Sequence, residues 1–258
     1  MDKSIFNLIP LHPQCRCIAL PVIGDEERKD VVLPMRGETP FTGDLDYISK
    51  IGGTADTAEI KKQFKEKYNI SFVTGLQKSN LQSIQRAHLV GEAIGDEMLT
   101  AFPSLAEKMS KKATRTRLKG LNLTEKLRPS DEQCYAMYSP RKKHITTFRP
   151  AYGREDDRLF WGQWTVGSGF KSTIRHEYAH HIHETLLTPK QKKKWLEIYT
   201  TTPKSTLEKI SRYGSTNELE LFAESLSAYT SPKYTSSTVK LPEPILQFIT
   251  DLVGERKP

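Results

Sequence analysis

Hydrophobic positions change their spacing several times along this chain of 258 residues. Between residues 56 and 68, Ile60, Phe64 and the aliphatic stem of Lys67 recur at helical intervals among lysines and glutamates, which predicts a helix. Residues 70–73 then read as a short strand. A longer helix is expected from about 79 to 100, where Leu81, Ile84, Leu89, Ala93, Ile94, Met98 and Leu99 fit one stripe, and Phe102-Pro103 ends it. The period then shortens. Residues 115–123, 133–138 and 144–148 read as strands, and 163–166, flanked by glycines, as a fourth. Helical spacing returns with Ser172 as the expected N-cap of a helix running to about 187, before Thr188-Pro189. Further helices are expected at 189–201, 204–211, 216–229 and 242–254.

This order predicts an α+β fold, with a small twisted sheet packed on helices and a helical C-terminal region. Residues 1–55 are of another kind. Pro10, Pro13, Pro21, Pro34 and Pro40, then Gly43, Gly52 and Gly53, break any period, so 1–55 reads as an extended arm and linker ahead of a domain at 56–258.

Composition narrows the function classes. Hydrophobic residues make up 36% and no stretch approaches the roughly 20 apolar residues of a membrane span. The first residues lack the apolar core of a signal peptide, so Sec-type export is not expected and a cytoplasmic location is. The three cysteines, Cys15, Cys17 and Cys134, give no even disulfide framework. The formal charge of +8 is carried by scattered Lys and Arg, with runs at 141–143 and 190–194 and no interleaved aromatics, so specific nucleic-acid binding is not expected. The runs are open to two readings: solvated faces, or a basic rim favouring acidic or extended polar substrates.

The chemistry concentrates at His176-Glu177-Tyr178-Ala179-His180, an HExxH sequence inside an expected helix. Residues four apart share a helix face, so His176 and His180 can turn both imidazoles to one metal ion, while Glu177 can reach a water there as general base. His181 and His183 read as supporting or surface histidines, with His183 also within reach of the interior. Glu184 is four after His180 and a candidate to orient a ligand. A catalytic zinc takes three protein ligands. The acidic candidates for the third lie in 217–224, where Glu220 and Glu224 border an apolar stripe of Leu219, Phe222, Ala223 and Leu226. A buried acid pair beside such a stripe needs a cation or another partner.

The segment Tyr213-Gly214-Ser215-Thr216-Asn217-Glu218-Leu219-Glu220-Leu221-Phe222-Ala223-Glu224, downstream of HEYAH, resembles the catalytic domain of the anthrax lethal factor family of zincins. The tail at 244–249 resembles that family's closing helix, and the likeness spans roughly 165–255. The resemblance implies a zincin-like metallopeptidase in which His176, His180 and Glu220 bind Zn2+, Glu177 activates water, the Tyr213 hydroxyl stabilises the oxyanion, and Glu224 supports a ligand histidine. One departure is Ala179, where the family has glycine.

A shorter likeness lies at the other end. Ile9-Pro10-Leu11-His12-Pro13-Gln14-Cys15-Arg16-Cys17 resembles the closing segment of phage Mu F-like head morphogenesis domains. The implied protein is a phage- or prophage-encoded zinc endopeptidase acting on a protein or peptide, with capsid or portal components as further partners. The alternatives are a minor head protein whose zinc site is structural or residual, and a toxin effector. His12, Cys15 and Cys17 are open to a separate reading as a small metal site.

Overall fold

A computed structural model describes residues 56–76, 81–124, 126, 134–148, 158–167 and 169–257. The expected arm at 1–55, with His12, Cys15 and Cys17, lies outside the described residues. The fold is mixed α+β and mostly helical, with a small mixed sheet of four strands.

Helix α1, Thr57–Lys67, is capped by the Asp56 carboxylate, which accepts from the Ala58 N–H, and buries Ile60 and Phe64. Lys67, expected on that stripe, is exposed. Strand β1 is only Val73–Thr74, shorter than the expected 70–73, because Ile70 makes an isolated bridge to Leu118. Helix α2, Leu81–Gly91, runs on into a π-helical segment, Glu92–Thr100, and together they fill 81–100 of the expected 79–100. Tyr68 lies against this junction, and a Cβ on Gly95 would come within 2.2 Å of its ring. Pro103 does end the long helix, but it also opens α3, Pro103–Lys111, where a first-turn proline gives up no hydrogen bond.

The expected strand at 115–123 divides. Ala113–Thr116 is a short helix, α4, and only Gly120–Leu123 forms strand β2. Strands β3, Ala136–Ser139, and β4, His144–Thr147, form a hairpin. The sheet order is β1-β2-β4-β3, with β1, β2 and β4 parallel and β3 antiparallel along the edge.

The expected strand at 163–166 is not one. Gly162 adopts φ 72°, which bends the chain, and the backbone of 162–164 bonds to 210–213 instead of the sheet. A single bridge, Leu159 to Gly167, remains.

Helix α5, Phe170–Thr185, carries the HExxH sequence. Its N-cap is Gly169 rather than Ser172, which lies in the first turn with its side chain against Gly167. Helices α6, Pro189–Thr201, α7, Lys204–Leu207, α8, Glu218–Thr230, and α9, Glu243–Val253, follow. Three match expectation closely, whereas α7 stops well short of 211. Among the described residues no helix is long and apolar enough to cross a membrane.

Helix α5 is buried nearly all round, with Glu184 its one fully exposed residue, although it carries an arginine, two glutamates and four histidines. Such a helix is stable only if each buried polar group finds a partner. Arg175 is paired with Glu97 of the π-helical segment. His181 lies between the Thr116 carbonyl at 2.7 Å and the Tyr138 hydroxyl at 3.0 Å. A carbonyl only accepts, so Nε2 carries the proton and Nδ1 accepts from Tyr138. Burial pushes the His181 pKa down to about 4, which keeps the ring in this neutral form. This chain of bonds ties edge strand β3 to α5. Tyr138→Phe is expected to cost about 1–3 kcal/mol by leaving a buried nitrogen without its donor. Denaturant melts would check it, and an unchanged midpoint would refute the tie.

Candidate metal centre

Two helices build the site. On α5, His176 and His180 are four apart and both face α8. On α8, the Asn217 side chain caps the first turn by accepting from the N–H groups of Leu219 at 3.0 Å and Glu220 at 2.9 Å. Glu220 is therefore fixed in the first turn, where the helix dipole favours a negative charge.

The three side chains meet. Glu220 Oε2 lies 3.1 Å from His176 Nε2 and 3.3 Å from His180 Nε2, and the two nitrogens are 3.2 Å apart. The group is buried and could hold a metal ion. Burial pushes the Glu220 carboxyl up, but the neighbouring imidazoles pull harder and leave it well below the usual range.

Glu224 stands one turn beyond Glu220 and grips the far side of the same imidazole. Its Oε1 lies 2.7 Å from His176 Nδ1, and its Oε2 accepts from the Val166 N–H at 2.5 Å. This close approach backs the ring, whose Nε2 is turned to Glu220 and His180. The Val166 contact is absent from the sequence reading. The bend at 163–166, mistaken for a strand, is what delivers that N–H.

Tyr213 is buried with its ring stacked on His176, centroids 6.0 Å apart and planes 25° apart, and the Trp164 ring lies tilted against it with centroids 5.9 Å apart. Its N–H donates to the Trp164 carbonyl at 2.8 Å. Gly214 lets this turn approach α8, since a Cβ there would lie 2.8 Å from Ser211 Oγ and 3.4 Å from the Glu224 Cβ.

Glu177 is fully buried, and neither carboxylate oxygen has a hydrogen-bond partner among the described residues. Burial, with Glu220 and Cys134 adding, raises its pKa to about 7 against the opposing pull of His176 and His180. A buried carboxyl in this condition costs stability, and such costs concentrate where chemistry is done.

Other expectations need correction. Glu184 does not orient a ligand: it is exposed and pairs with Lys192 at 2.9 Å. His181 and His183 are not surface residues. His183 is buried edge-on against Phe222, and burial first, then Lys192, holds its pKa at about 3. Glu218 is not one of the three residues that meet at the site, and its backbone carbonyl accepts from the Trp195 indole at 2.7 Å.

The chain matches no protein-family model and is significantly similar to no curated protein.

Proposed function

We propose that this protein is a zinc-dependent endopeptidase with a zincin-like catalytic domain. The observation that carries this reading is the near-equilateral triangle of His176 Nε2, His180 Nε2 and Glu220 Oε2 beside the unpaired Glu177 carboxylate. Bonds of about 2.0–2.1 Å to a tetrahedral zinc ion place its ligand atoms roughly 3.3 Å apart, which the triangle fits. Three ligands, rather than the four of a closed structural site, suit a catalytic ion. The likeness of residues 213–224 to lethal-factor catalytic domains supports the same assignment.

When bound, a zinc ion supplies Lewis acidity to a water and to a substrate carbonyl. His176 and His180 hold it through Nε2, and Glu220 through Oε2. Glu224 keeps the His176 ring orientation. Glu177 takes a proton from the attacking water on its carboxylate and passes it to the leaving amine. Tyr213, stacked on His176, brings its hydroxyl to the carbonyl oxygen as negative charge develops there. Edge strand β3, tied to α5 through Tyr138, takes an extended substrate by strand addition.

The reaction class is tested by digesting a broad peptide library with the zinc-loaded chain and reading the products by mass spectrometry. Internal cuts are expected. Trimming from termini only would make it an exopeptidase instead, and no cuts with zinc bound would favour the minor head protein with a structural site. Tyr213→Phe is expected to lower kcat by about 10²–10³-fold with KM little changed. Equal loss in kcat and zinc content would make Tyr213 a support for His176 only.

A further inference from the structure

The basic run at 141–143 meets a second basic stretch of the chain, 115–119, in the fold. The Lys119 N–H donates to the Lys143 carbonyl at 2.9 Å, and Lys143 Nζ donates to the Arg115 carbonyl at 2.7 Å. This brings Arg115, Arg117 and Lys119, leading into β2, against Arg141, Lys142 and Lys143 of the β3–β4 turn. Five of the six are exposed and Lys143 is half-buried. Among the described residues none of the six is ion-paired, whereas Lys111, Lys171, Lys192, Lys194 and Lys204 all have carboxylate partners. Solvated lysines on a helix face are commonly laced with acids, and a cluster without them is left to attract an external anion.

The cluster is continuous with the metal centre through β3. Tyr138 on this strand bonds His181, the neighbour of His180 on α5. The strand then enters the turn at 140–143. At about 3.3 Å per residue, the basic turn begins roughly 7 Å along the strand from Tyr138.

We infer that the preferred substrate segment is acidic, carrying clustered carboxylates to one side of the scissile bond. This rests on the peptidase reading above. A segment laid along β3 has one residue for each residue of the strand, so its carboxylates meet Arg141, Lys142 and Lys119 while its scissile bond lies at Glu177. A single-stranded nucleic acid fits less well. Stacking along a strand uses several aromatic rings, and Phe72, packed on His144 beside the cluster, is the one large exposed aromatic among the described residues.

The test uses the full chain, zinc-loaded, with Glu177→Gln to prevent turnover, and a labelled peptide carrying an Asp/Glu tract on either side of a central neutral sequence. Fluorescence anisotropy should show one acidic peptide binding about tenfold more tightly than its Asn/Gln counterpart, the difference shrinking with added salt. The double variant Arg141→Glu/Lys142→Glu should lose that preference and keep the affinity for the neutral peptide. Equal affinity for acidic and neutral peptides overturns the inference, as does tighter binding of a single-stranded oligonucleotide. In the chain with Glu177 intact, the double variant should cleave a neutral peptide at the wild-type rate. Selective acidic-peptide binding without cleavage of any peptide would sink the peptidase reading and leave the acidic preference standing.

Discussion

Glu177→Gln is expected to lower peptide cleavage by about 10³-fold while the zinc content stays at the wild-type level. The side chain occupies the same volume but can no longer take up a proton. It does not belong to the His176, His180 and Glu220 triangle, so the metal ligands are untouched. A second effect runs the other way. Burial, more than any neighbouring charge, raises the Glu177 carboxyl to about 7 in the metal-free chain, and both of its oxygens are buried without hydrogen-bond partners among the described residues. Glutamine removes that buried charge, so the metal-free variant should melt at or above the wild-type temperature. Calorimetry and metal analysis on one preparation check both parts. A variant that loses cleavage only by losing zinc would make Glu177 a structural residue.

The largest loss of stability is expected from Glu97→Ala. Arg175 is fully buried one residue before the first ligand histidine, and its guanidinium is paired with Glu97, which also holds Lys171 at 2.6 Å. Truncating the acid leaves a buried guanidinium without its carboxylate, at a cost of about 3–5 kcal/mol. Because the pair anchors the start of the motif, zinc affinity should fall as well. The double variant Glu97→Met/Arg175→Met replaces both charges with apolar chains and should recover most of the loss. Denaturant unfolding of the three proteins decides it. A loss under about 1 kcal/mol in the single variant would show that the pair adds little to the stability of α5.

Which of these features could be read from the chain depends on how far apart their parts lie. His176 and His180 need only helical periodicity, so local spacing suffices. Glu220 lies forty residues on, yet its place beside an apolar stripe shows that a buried acid there needs a partner. Helix α6, with Thr188 and Gln191 forming a capping box, carries its own boundaries in its sequence. The failures share a cause. The bend at 163–166 has a strand's composition, but its hydrogen bonds go to 210–213, and no local pattern reports that. Arg175 meets Glu97 across 78 positions, and His181 meets Thr116 across 65. From sequence alone these were an arginine and a histidine of no evident purpose. The basic cluster likewise exists only because the sheet register sets Gly120 beside His144.

The account depends most on the link between zinc in this triangle and cleavage. Stripping the chain with a chelator and restoring zinc in steps, with metal content and library cleavage measured at each step, tests that link directly. The account predicts no cleavage without metal and activity rising in proportion to zinc up to one ion per chain, with Glu220→Ala failing to recover. Cleavage that survives complete removal of zinc, or full zinc loading that restores none, would contradict it.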